Sequence, residues 1–210
     1  MSIRVERSEV GPGVPGANGG PSAAFVRAVG ALLVIGPISW GVGVAVDLDG
    51  YDDEKIYVAD MISGVPYLLG LGALCALVLA CRATGDRKGR AFPIIPMALF
   101  PLAMAVNLGS IPYETYEDLP TWVNVLDPAW PLSQIGMLAS AIAIIRVGRW
   151  QGAVRWLPLA GSLWLVAGMV GKIALEGAAG TLVFVLWLIA TYSTLGVLLL
   201  VRPGAVDSRM

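Results

Sequence analysis

Five carboxylates fall within eight consecutive positions, at Asp47, Asp49, Asp52, Asp53 and Glu54. Groups this dense repel one another unless a cation neutralises them, and an all-oxygen ligand set is what a hard divalent ion such as Ca²⁺ prefers. The stretch is therefore a candidate divalent-cation site. Its spacing does not follow an EF-hand loop, and a solvated acidic connection is the simpler account of the same residues.

Three further acids, Asp60, Glu114 and Asp127, flank apolar runs and are the natural pair-forming candidates for acid–base work, although nothing in the sequence positions them against one another. The segment from Ile111 to Pro128 mixes such acids with Tyr113, Tyr116 and Trp122. Those rings suit either a small aromatic lid over a cationic ligand or anchoring at the headgroup level, and anchoring is the commoner use. Lys172 and Glu176 stand one helical turn apart, about 25 Å along the helix from Arg155, which places them near a membrane surface rather than at its centre. The polar residues that do fall nearer a bilayer midplane are neutral: Ser39, Gln134, Ser162, Thr191, Tyr192, Ser193 and Thr194. They are candidates for lining a polar ligand pocket inside a helical bundle, and equally for hydrogen bonds that hold the helices together.

Other chemistries are poorly supplied. Histidine is absent, which removes the usual general base, metal ligand and near-neutral proton switch. Cys75 and Cys81, six apart in one apolar run, suit core thiols better than a disulfide or a metal pair. No phosphate loop, His-Glu-x-x-His, Gly-x-Ser-x-Gly or Cys-x-x-Cys motif occurs. The sequence assigns no catalytic residue and no cofactor, and points to no nucleic acid.

The elements that must position these groups are membrane spans. Hydrophobic residues make up 57% of the 210 positions and charged residues 14%, well under the roughly 25% charge of soluble chains. Six apolar runs reach the length of about 20 residues that a helix needs to cross lipid: Ala24 to Val46, Ile56 to Cys81, Phe92 to Ser110, Ala129 to Val147, Val154 to Leu175 and Gly180 to Val201. Twelve of the 14 Lys and Arg residues fall in the tails and in the second and fourth connections, while 11 of the 15 acids fall in the other three. By the positive-inside rule both termini are cytoplasmic. The predicted fold is an all-α, six-helix transmembrane bundle over residues 23–202, with a disordered cytoplasmic tail at 1–22 and a short one at 203–210; a faint proline and arginine repeat is compatible with three helical hairpins, but ordinary transmembrane proline and positive-inside sorting is the favoured account of it.

The residues Asp127-Pro128-Ala129-Trp130-Pro131-Leu132 through Gly136-Met137, and Arg149-Trp150-Gln151-Gly152 followed by Arg155-Trp156-Leu157-Pro158-Leu159, give the last four spans a resemblance to uncharacterised six-helix membrane proteins of high-GC Gram-positive bacteria. The resemblance implies a bacterial plasma membrane and transfers no activity. The expected function is non-enzymatic binding in the bilayer, of a membrane-protein partner, a second copy of the chain, or a small or lipid-like ligand. Its rivals are a small transporter or channel for a neutral or cationic solute, and an interfacial enzyme using Asp60, Glu114 and Asp127.

Overall fold

The structure, a computed structural model, describes residues 20–46, 48, 54–175 and 178–206. Asp47, Asp49, Asp52 and Asp53 of the acidic stretch, Glu176, and residues 1–19 and 207–210 of the tails lie outside them; Glu54 lies within.

Lipid offers the backbone no hydrogen-bond partners, so long apolar runs resolve into helices. They are α1 (Ala23–Val46), α2 (Val58–Ala80), α3 (Ala91–Ser110), α4 (Thr121–Leu126), α5 (Ala129–Val147), α6 (Ala153–Ser162), α7 (Trp164–Ala174), α8 (Ala178–Leu188) and α9 (Thr194–Val201). Among the described residues five helical stretches are long and apolar enough to cross a membrane, or six where the bent pair α6–α7 counts as one span. Helix boundaries match the predicted runs to within two or three residues, with two departures. The fifth run is not one straight helix: α6 and α7 meet at Leu163 with a 52° bend. The sixth carries a π-helical segment, Ile189–Ser193, between α8 and α9.

The bend falls beyond Pro158, the residue from which distortion is expected. Ser162 turns its hydroxyl back onto the Pro158 carbonyl at 2.8 Å, and Leu163 N–H reaches only to Ala160 O, three residues back. A serine bonded four residues back bends a helix, and here it acts at a Gly161–Ser162 pair immediately before the break.

Glycine sets how closely the helices pack. α1 runs antiparallel to α2 with Gly36 against Pro66 and Tyr67, and Gly43 against Ala59 and Ser63. A Cβ at Gly36 would stand 2.8 Å from the Pro66 carbonyl oxygen. α1 also crosses α9 where Gly30 and Gly196 face each other backbone to backbone. α3 packs on α5 through Gly136 and Pro96, and α7 on α8 through Gly168 and Gly171. Such contacts are how membrane helices associate without a hydrophobic driving force.

The charges sort by end. The connections α1–α2, α3–α5 and α7–α8 share the end that carries Glu54, Asp60, Glu114, Glu117, Asp118 and Asp127. The opposite end carries Arg82, Arg87, Lys88, Arg90, Arg146, Arg149 and Arg155. There the turn after α5, closed by Gly148 at φ +70°, sends Arg149 to the Arg82 carbonyl (2.7 Å) and the Asp86 carboxylate (3.1 Å).

Candidate functional site

The site grows from the α1–α2 contact. Gly36, Trp40 and Gly43 lie at helical spacings of four and three, so they share one face of α1. The two glycines let α2 come close, and Trp40 between them is pressed flat onto Tyr67, with ring centroids 4.7 Å apart and planes at 28°. The same approach brings the indole N–H of Trp40 to donate to Oδ1 of Asp60, at 2.5 Å, in the first turn of α2. Trp40 is 8% exposed, so this bond is largely shielded from water on the tryptophan side.

Around Trp40 the other helices add rings. Trp130 at the start of α5 lies 5.5 Å away, Trp164 just past the bend 5.4 Å away in an edge-on arrangement, and Phe184 of α8 5.7 Å away. Tyr67 meets Tyr192 of the π-helical segment edge-on at 6.2 Å. Edge-on and offset rings present negative faces and positive edges to one another, which holds six aromatics from six elements in one arrangement.

Directly beside this cluster, at the acidic end, lies a cavity of about 300 Å³ lined by Trp40, Trp130, Tyr116, Asn107, Asp60 and Asp127, among others. Helices α1, α2, α3 and α5 and the connection between α3 and α5 build its walls. The Glu54 carbonyl accepts from Tyr116 N–H and the Glu114 carbonyl from Ile56 N–H, and Lys55 and Thr115 form an isolated antiparallel bridge, so the first and second acidic connections are tied together. That tie seats Tyr116 and Leu119 against the cavity. Asn107 of α3 donates to the Met61 carbonyl at 3.3 Å, opposite Gly64, whose missing side chain leaves room for the amide. Asp127, exposed, stands at the junction of α4 and α5.

Chemically, the lining combines two carboxylates, a carboxamide, a phenol and two indole rings. A cation would gain both carboxylate attraction and ring-face attraction there. A metal ion is less well served: among the described residues no three His, Cys, Asp or Glu side chains converge.

The candidates named from sequence are distributed differently. Of the three outer acids, Asp60 and Asp127 meet at the cavity, while Glu114 lines a separate hollow with Lys55, Tyr57 and Tyr113. Tyr116 lines the cavity, whereas Trp122 packs over Gly109. The neutral polar residues bond between and within helices. Gln134, 2% exposed, accepts from Trp164 Nε1 at 3.2 Å and donates to Ser133. Ser162 and Tyr192 hydroxyls lie 3.4 Å apart, Thr191 donates to Trp187 O at 2.7 Å, and Ser193 to Val34 O at 3.4 Å. Ser39 is half-buried and Thr194 exposed. None of these seven is in the lining of the cavity. Trp40, Trp130 and Asn107 are site residues that their sequence context does not single out; the signal that could have found Trp40 is its place between two glycines on one face.

The fold and this cavity define a polytopic helical membrane protein with an aromatic and acidic recess at one end. No protein family, curated protein or solved structure matches the chain.

Proposed function

We propose that this protein binds a small organic cation in the recess at its acidic end. What supports the reading is one convergence: Asp60 and Asp127, far apart in sequence, reach the same cavity, against the ring surfaces of Trp40 and Trp130. A cavity of about 300 Å³ is at the small end of ligand sites, which suits an amine or methylated ammonium of few atoms. In this reading the acidic end faces outward from a bacterial plasma membrane and both termini are cytoplasmic, because Lys and Arg concentrate at the other end.

The test is the melting temperature of the purified protein in detergent against primary amines, quaternary ammonium ions, neutral solutes and divalent cations. Cationic organic solutes raise it in wild type and not in Asp60→Asn. A flat response to all of them rejects the reading.

A second reading, transport of the same cation, is favoured by the bent α6–α7 and the π-helical segment, which meet where Tyr192 packs on Gly161. Interrupted helices mark moving parts in transporters. Flux of the cation into liposomes separates carriage from binding alone.

A further inference from the structure

At the opposite end, α3 and α5 leave a groove of about 410 Å³, lined by Thr84, Phe92, Ala139, Ile142, Ala143, Arg146 and Val147. Four of these, Ala139, Ile142, Ala143 and Arg146, recur at spacings of three and four, so they form one stripe on α5, apolar for two turns and ending in a guanidinium. Phe92 and Ile142 are among the exposed large apolar side chains. The groove is thus a slot for hydrocarbon with a cation at its end.

The charge around it is unbalanced. Asp86 is the acid nearest in sequence, and it is engaged by both Arg82 (3.6 Å) and Arg149 (3.1 Å). Arg87, Lys88, Arg90 and Arg146 have no ion pair among the described residues. The first three sit in the single helical turn that leads into Phe92, and that turn is folded tightly onto Thr84: a Cβ at Gly89 would stand 1.9 Å from the Thr84 carbonyl oxygen. Thr84 itself is 4% exposed, and its hydroxyl has no hydrogen-bond partner among the described residues.

We infer that this groove is a binding site for an anionic phospholipid, with an acyl chain along the Ala139, Ile142 and Ala143 stripe and the phosphate on Arg146, within reach of the field of Arg87, Lys88 and Arg90. An apolar slot between transmembrane helices that ends in a basic cluster has the two features a lipid of this class recognises. The site is separate from the recess at the acidic end and stands without it.

The experiment measures melting of the full-length protein in neutral detergent, titrated with phosphatidylglycerol, with phosphatidylcholine of the same acyl chains, and with inorganic phosphate alone. Phosphatidylglycerol stabilises at lower concentration than phosphatidylcholine. Arg146→Gln weakens its apparent affinity about tenfold, the effect of losing one charge-assisted hydrogen bond. Arg202→Gln, at the same end but outside the groove, leaves that affinity unchanged. Ala139→Phe, which fills the slot and keeps every charge, removes the preference for phosphatidylglycerol and provides the check if Arg146→Gln does not fold. The inference is overturned if the two lipids act alike, if Arg202→Gln weakens binding as much as Arg146→Gln, or if phosphate alone reproduces the shift, which would make the ligand a free anion.

Discussion

The bond from Trp40 to Asp60 organises the recess, and its strength can be predicted. A hydrogen bond to a charged acceptor contributes about 1.5–3 kcal/mol, whereas neutral bonds between membrane helices average about 0.6 kcal/mol. Asp60 is only half-buried, so the lower end of the charged range applies, about 1.5 kcal/mol. The perturbation is a double-mutant cycle of Trp40→Phe and Asp60→Ala, read by reversible unfolding in mixed micelles with increasing dodecyl sulfate. Trp40→Phe keeps a ring at the centre of the aromatic group and removes the N–H. Alone it destabilises by about 3 kcal/mol, half from the bond and half from poorer contact with Tyr67, Trp130, Trp164 and Phe184. In the Asp60→Ala background the same change costs about 1.5 kcal/mol less. Repeating the cycle with Asp60→Asn, which still accepts but carries no charge, lowers the coupling to about 0.9 kcal/mol, because a neutral bond of about 0.6 kcal/mol survives beside Asn. If Trp40→Phe costs the same with and without Asp60, the bond contributes nothing and the recess is not organised as described.

Three other changes separate packing from binding. Gly196→Ala brings a Cβ to 2.5 Å from the Gly30 carbonyl oxygen, so α1 and α9 must part by most of an ångström, and the unfolding assay should show a loss of about 1–3 kcal/mol. Gly64→Ala places a Cβ 2.6 Å from Asn107 Nδ2 and turns that amide away from Met61; cation affinity measured by melting shift falls, while stability changes by about 1 kcal/mol or less because the clash is with the end of a side chain. Gln134→Leu leaves Trp164 Nε1 without its acceptor in the interior and costs about 1–3 kcal/mol of stability, with cation-induced melting shifts retained. Loss of those shifts in a protein of unchanged stability would place the ligand at Gln134 instead.

Much of the architecture is readable from sequence because a membrane span needs only length and apolarity. α1, α2, α3, α5 and the α8–α9 run stand where the runs do, and the sorting of charge between the two ends follows from which connections hold Arg and Lys. The bend at Leu163 is not readable in that way: it follows the Gly161–Ser162 pair, five residues past Pro158, and goes with a serine hydroxyl turned back onto the Pro158 carbonyl. The small-residue contacts are only half visible. Gly136 presses on Pro96, where an added Cβ would stand 2.9 Å from the proline ring, and the closest approaches between helix backbones belong to Gly30, Gly36, Gly43 and Gly196, in α1 and α9. Spacing shows which residues share a face and is silent on which helix that face meets. For the same reason the recess could not be assembled in advance. Asp60 reads as a surface acid and Trp130 as an interfacial ring until the α1–α2 contact brings Trp40 between them.

Equilibrium binding of a radiolabelled small quaternary ammonium ion to the protein in neutral-lipid nanodiscs tests the central claim most directly. The account predicts saturable binding of one cation per chain, abolished in the Asp60→Asn, Asp127→Asn double variant although its melting temperature stays within a few degrees of wild type. Binding that is absent from wild type, or that survives in the folded double variant, would contradict it.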